Sequence, residues 1–177
     1  LLDDVVIRDT LGREVDGADG AGLLLHSGGF LAASRLQVED NTNVGVALWG
    51  EGTSLFAAQT VIEGTSIGLD GIGGVGLGIY DGAFAHLSDF LIANNEIVGL
   101  QVPSSPSVSH GAQERLCGDV ELEQGVIRGH PIAVNSQCLD FEELLRDEDS
   151  VFFVDNDRDL DSTNLENTRP RYDPRRN

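Results

Sequence analysis

"GLLLHSGGFLAASRLQVEDN", residues 22–41, and "GLGIYDGAFAHLSDFLIANN", residues 76–95, align without a gap at a spacing of 54. Gly22 falls on Gly76, Leu25 on Ile79, Gly28 on Gly82, Phe30 on Phe84, Ser34 on Ser88 and Asn41 on Asn95. A third copy, "GVALWGEGTSLFAAQTVIEGT" from Gly45, fits between them with one extra residue. Leading glycines at 22, 45, 76 and 99 therefore mark units of 23, 31 and 23 residues, the longer one enlarged by "SIGLDGIGG". Repeats of this length signal a solenoid, in which each unit buries its apolar face only against its neighbours.

The local pattern selects the kind of solenoid. Leu23/Leu25, Val46/Leu48, Leu77/Ile79 and Leu100/Val102 alternate in steps of two, as do Val5/Ile7, Leu36/Val38 and Phe90/Ile92. That is strand periodicity, and Gly, Asn, Asp and Thr punctuate it. The reading is an all-β, right-handed, single-stranded parallel β-helix of about five or six coils, with copies of each strand about 4.8 Å apart. Thr10, Asn41, Thr65 and Asn95 fall at one turn position, where stacked side chains form hydrogen-bond ladders. "CLDFEELLRDED" from Cys138 is expected as a short capping helix and "VFFVDN" as a last strand. The β-helix is expected over residues 1–155, as the C-terminal part of a longer solenoid with further coils upstream, and an acidic, mixed-charge, partly disordered tail over 156–177.

The phrases "VIRDT" and "DGADGAGLLL", and then "VEDNTNVGVALWGEGTSL", resemble the pectin-lyase-like β-helix superfamily. They are most similar to secreted repeat proteins of myxobacteria and related bacteria. The resemblance spans about residues 1–155. It implies a fold shared by lyases, hydrolases, adhesins and inert scaffolds, so activity has to be argued from particular residues.

Composition narrows the classes. The 177 residues contain no Lys and no Met and carry a net charge of −19. Such a charge repels nucleic acid and anionic lipid, so neither is an expected partner. Nor does any apolar run reach the roughly 18 residues of a membrane span. With no Met, the chain is expected to be a processed or truncated piece of something longer. Cys117 and Cys138 are 21 apart, close to one coil, so a disulfide between neighbouring coils is expected, and with it an oxidising, extracellular setting.

Stacking turns single residues into stripes. His26, Trp49 and Tyr80 share one unit position, and if the alternation holds they form an exposed aromatic stripe suited to a polysaccharide or cell-surface glycan. A second stripe reads Arg8, Glu39, Glu63, Ala93, Arg128. Glu39 and Glu63 one coil apart would stand about 5 Å from each other, near the carboxylate separation of retaining glycosidases. The acid clusters that the superfamily's enzymes need do not assemble, and "RGHPIAV" around His130 only echoes their Gly-His-Gly phrase. In the tail, Asp155, Asp157, Asp159, Asp161 and Glu166 match the ligand spacing of a calcium loop, although Leu160 and Ser162 replace its Gly and apolar positions. Val6, Val61, Leu91 and Val126 form an apolar outward stripe. The expected function is a non-catalytic extracellular module binding carbohydrate or a cell surface. The alternatives are a polysaccharide lyase or glycoside hydrolase, and a structural spacer or oligomerising stalk.

Overall fold

The computed structural model describes residues 1–12, 20–109, 112–138, 150–163 and 165, with 105–116 treated by backbone alone. In chain order the strands are β1 (Leu2–Arg8), β2 (Ala21–His26), β3 (Phe30–Glu39), β4 (Val44–Trp49), β5 (Ser54–Glu63), β6 (Val75–Tyr80) and β7 (Phe84–Ala93). They continue with β8 (Val98–Val102), β9 (Ser105–Ser109), β10 (Ala112–Leu116), β11 (Asp119–Arg128), β12 (Ile132–Ser136), β13 (Val151–Val154) and β14 (Arg158–Asp161). There is no helix among the described residues. The capping-helix expectation rests on residues 139–149, which lie outside them.

Two six-stranded parallel sheets account for all but the β9–β10 hairpin, in the orders β1-β3-β5-β7-β11-β13 and β2-β4-β6-β8-β12-β14. The chain thus alternates between sheets, adding one strand to each per tier, an arrangement consistent with a parallel β-solenoid. The second sheet runs further than the sequence indicates. β14 pairs with β12 through Arg158, Leu160 and Asp161, inside the stretch assigned to the tail.

The long strands of the first sheet bend at one register point. Asp4, Arg35, Gln59, Asp89 and Gln124 align there, all with φ between 51° and 54°. A second left-handed column, Asp9, Asp40, Gly64, Asn94, Gly129 and Asp155, ends each of these strands. Between the sheets lies an aliphatic core. Leu36, Val38, Leu55, Ile62, Leu87, Ile92 and Ile127 from one sheet meet Val46, Leu48, Leu77, Ile79 and Leu100 from the other, each fully buried or nearly so. Burying one such side chain is worth about 1.5–3 kcal/mol.

The polar column aligns as its spacing predicts, forms hydrogen-bonded rungs at its two asparagines, and extends two tiers further. Asn41 Oδ1 accepts from the Thr10 N–H at 3.0 Å, and Asn95 Oδ1 accepts from the Thr65 N–H at 3.0 Å. His130 then takes an asparagine's place: its Nδ1 accepts from the Asn95 N–H at 3.1 Å, and its Nε2 lies 3.2 Å from the Ile92 carbonyl. Asn156 Oδ1 accepts from the His130 N–H at 3.1 Å. The leading glycines of the repeat lie against this ladder. A Cβ on Gly76 would fall 2.5 Å from Asn95 Nδ2 and 2.7 Å from the Gly99 carbonyl. Gly22, Gly45 and Gly99 face equivalent pairs of obstacles. The repeated glycine is therefore a steric requirement of stacked tiers.

Candidate functional site

The aromatic column aligns as its spacing predicts, His26 with Trp49 and Trp49 with Tyr80, but it is not an exposed stripe. His26 and Trp49 are half-buried, and Tyr80 is completely buried. The Trp49 and Tyr80 rings stack at 4.4 Å between centroids. Trp49 Nε1 donates to Asp81 Oδ2 at 2.6 Å, and the Tyr80 hydroxyl bonds Gln101 Oε1 at 3.2 Å. The outer face of this sheet is itself packed. Val44, Ala47, Val75, Tyr80, Val98 and Ile132 form a second apolar cluster, with Ile97 and Leu165 against it. Gly78 explains the ring's posture, because a Cβ there would sit 2.3 Å from the Tyr80 hydroxyl oxygen. Tyr80 lies flat along its own strand, so outward alternation leads to burial.

A different aromatic group stands in the open, and the sequence reading does not single it out. Phe30, Phe56 and Phe84 lie on the outer face of the bent sheet, before its left-handed column. Their ring centroids are 5.7 Å apart for Phe30–Phe56 and 5.5 Å for Phe56–Phe84, and His86 meets Phe56 edge-on at 6.0 Å. Phe30 is 68% exposed and Phe56 40%. Register places Ser54 between Phe30 and Phe84, and Phe56 beside His86, so the rings zigzag across three strands. Next to them run only small side chains, Ser34, Ala58 and Ser88, in one aligned row. The result is an aromatic strip along the stacking direction, its rings tilted by 40° and 53° to one another, beside a row of small side chains. Glu123 borders it, its Oε1 3.6 Å from His86 Nε2.

Glu39 and Glu63 are direct register partners, with Arg8 beside Glu39 and Arg128 beyond Ala93. Both carboxylates are half-buried on the outer face past the bend, separated from the phenylalanine strip by the left-handed column. Arg8 also meets Asp9 at 3.8 Å. The pair alone can accept from a hydrogen-bond donor. Glycosidic chemistry would need a sugar held across both acids.

The acids of the tail do not gather into a loop. Asp159 and Asp161 lie in β14, and the Asp157 N–H donates to the His130 carbonyl, as an added tier requires. Asp161 turns inward: its carboxylate accepts from the Thr163 N–H at 2.6 Å and the Thr163 hydroxyl at 2.5 Å, and pairs with Arg158. The Thr163 hydrogen bonds, then Arg158, hold this carboxyl below the usual carboxylate range. No group of three or more His, Cys, Asp or Glu suited to a metal occurs among the described residues, and Glu166 lies outside them. Cys117 and Cys138 are joined in a disulfide, with their Cα atoms 5.7 Å apart.

Comparison of the chain with protein-family models, with curated proteins and with solved structures finds no match.

Proposed function

We propose that the chain is a right-handed, single-stranded parallel β-helix serving as a non-catalytic extracellular module, and that it holds carbohydrate on the phenylalanine strip of its bent sheet. The observation that carries this reading is the row Phe30–Phe56–Phe84, three mutually tilted rings of which Phe30 and Phe56 are exposed and Phe84 is half-buried. Contiguous exposed aromatics are uncommon without a contact to make, and flat rings beside small hydroxyl side chains suit the apolar faces of sugars. The handedness follows from the strong right-handed bias of connections between parallel strands. The Cys117–Cys138 disulfide favours an oxidising compartment. The charge of −19 directs the reading toward neutral glycans, because uronates would be repelled.

The test is a panel of neutral and acidic polysaccharides, with and without Ca²⁺, scored for retention and chain cleavage in parallel. Retention of a neutral glycan is expected without cleavage, lost in Phe56→Ala and kept by folded Tyr80→Phe. Cleavage that disappears in Glu39→Gln or Glu63→Gln would replace this reading with the hydrolase or lyase alternative. Retention that requires Ca²⁺ and is lost in Asp157→Asn would move the site to the tail. Absence of both retention and cleavage would favour the structural spacer.

A further inference from the structure

The phenylalanine strip ends against a line of carboxylates. Three outward rows cross β3, β5, β7 and β11 in register: Phe30–Ser54–Phe84–Asp119, Ala32–Phe56–His86–Glu121 and Ser34–Ala58–Ser88–Glu123. Each row finishes in an acid at β11. Asp119 and Glu123 are exposed, and Glu121 is half-buried. Asp89, also exposed, follows Ser88 at the bend. Arg35, the one cation of the bend column, is already held: its Nη2 donates to Asp3 Oδ2 at 2.6 Å and to Asp4 Oδ2 at 2.9 Å. β13 joins β11 only from Gly125 onward, so among the described residues no strand follows the acids.

We infer that the strip takes a polysaccharide bearing free amino groups, with sugar faces on the rings of β3, β5 and β7 and an ammonium group at the acids of β11. The inference rests on the carbohydrate reading above and narrows it. Two independent observations meet on this face: aromatic rings, with Phe30 and Phe56 exposed, and acids that continue their rows. Rings contact the C–H face of a pyranose whatever its charge. The acids supply the selection. An ammonium there gains charge-assisted hydrogen bonds that a hydroxyl or an acetylated amine cannot match. An ammonium lying over a ring gains a cation–π contact. A uronate would be repelled.

Spacing favours a sugar chain over a basic peptide. Neighbouring strands stand about 4.8 Å apart, close to the length of one sugar in an extended chain, so successive sugars meet successive strands. An extended peptide advances about 3.3 Å per residue and falls out of step with them. His86 joins the two parts of the face, meeting Phe56 edge-on at 6.0 Å and Glu123 Oε1 at 3.6 Å. A sugar on Phe56 therefore has its neighbour over the acids within one or two strands.

Calorimetric titration of the full chain with soluble β-linked oligomers of equal length tests this. The three oligomers are of glucose, N-acetylglucosamine and glucosamine, at a pH that keeps amines protonated and carboxylates ionised. The glucosamine oligomer should bind several-fold tighter than the other two, and its advantage should shrink as NaCl rises. Asp119→Asn/Glu123→Gln should abolish the advantage and keep the neutral binding, whereas Phe56→Ala should abolish both. Asp70→Asn/Glu96→Gln removes the same charge from exposed positions beyond the far ends of β5 and β7, and should change neither. Circular dichroism checks that every variant folds. Equal affinity for all three oligomers, lost in Phe56→Ala, would overturn this inference and leave the carbohydrate reading standing. So would an advantage that persists in Asp119→Asn/Glu123→Gln, or one that weakens as much in Asp70→Asn/Glu96→Gln. A lysine oligomer of equal charge, bound as tightly and with the same dependence on Phe56, would replace the amino sugar with a basic peptide. Absence of any binding that depends on Phe56 would overturn both readings.

Discussion

His130 shows what one substitution does to a ladder built for asparagine. An asparagine supplies an acceptor and a donor at once, and a neutral imidazole with its proton on Nε2 does the same. The contacts to the Asn95 N–H and the Ile92 carbonyl demand that tautomer. Burial pushes the imidazole below its ordinary value of 6.5. The sign follows. Between pH 6.5 and the lower folded-state value, the unfolded chain takes up a proton that the folded chain refuses, so stability falls as pH falls through that window. Above 6.5 the effect is absent. The loss amounts to about 1.4 kcal/mol for each pH unit of the window. His130→Asn should remove this component. The check is thermal unfolding of both chains from pH 7.5 to pH 5, and equal pH slopes would sink the assignment. At this scale the ladder was largely legible: Thr10, Asn41, Thr65 and Asn95 are all where their spacing places them. His130 was not, because its neighbours look like a remnant of a catalytic phrase and a histidine is not an expected rung.

At the scale of the element, the column of leading glycines sets how closely tiers approach. Gly76→Ala would drive a methyl group into Asn95 Nδ2 and the Gly99 carbonyl at once. We expect a loss of about 1–3 kcal/mol, the usual range for overpacking, read as a lowered denaturant midpoint with unchanged slope. The period and the alternating aliphatics therefore reveal the strands and their stacking. Two things escape that reading. The bend within each long strand is made by Asp4, Arg35, Gln59, Asp89 and Gln124, none of them glycine, so no breaker marks the left-handed positions. The aromatic column points outward as alternation requires, yet burial depends on what lies over the face. Gly78, two residues before Tyr80, was the available signal, since a bare backbone position invites the ring to lie down upon it. The phenylalanine strip escapes for a related reason. Its rings shift by two positions between units, Phe30 and Phe84 in one row and Phe56 in the next, so no single repeat position collects them.

For the whole molecule, charge and covalent closure set the conditions of stability. A net charge of −19 repels itself in the folded state, and salt screens that repulsion beyond about 8 Å at physiological strength. The melting temperature should therefore rise with NaCl. A melting temperature that falls with salt would mean that local ion pairs such as Arg35 with Asp3 and Asp4 outweigh the global field. The disulfide closes a loop of sequence separation 21, worth about 3 kcal/mol by chain entropy. Its spacing was readable because one turn of the stack and the gap between the cysteines nearly coincide. Function was far less readable, because a stacked fold exposes many side chains in rows and only their cover decides which rows meet water.

One consequence of the histidine rung reaches beyond its own energy. It joins the tier of β7 and β8 to that of β11 and β12. The single described disulfide, Cys117–Cys138, belongs wholly to the later side. Protonating the imidazole sets N–H against N–H at that level alone, while the rungs on either side carry no proton to gain. Acid should then loosen the stack first at that one level, as frost works on a single joint in a wall.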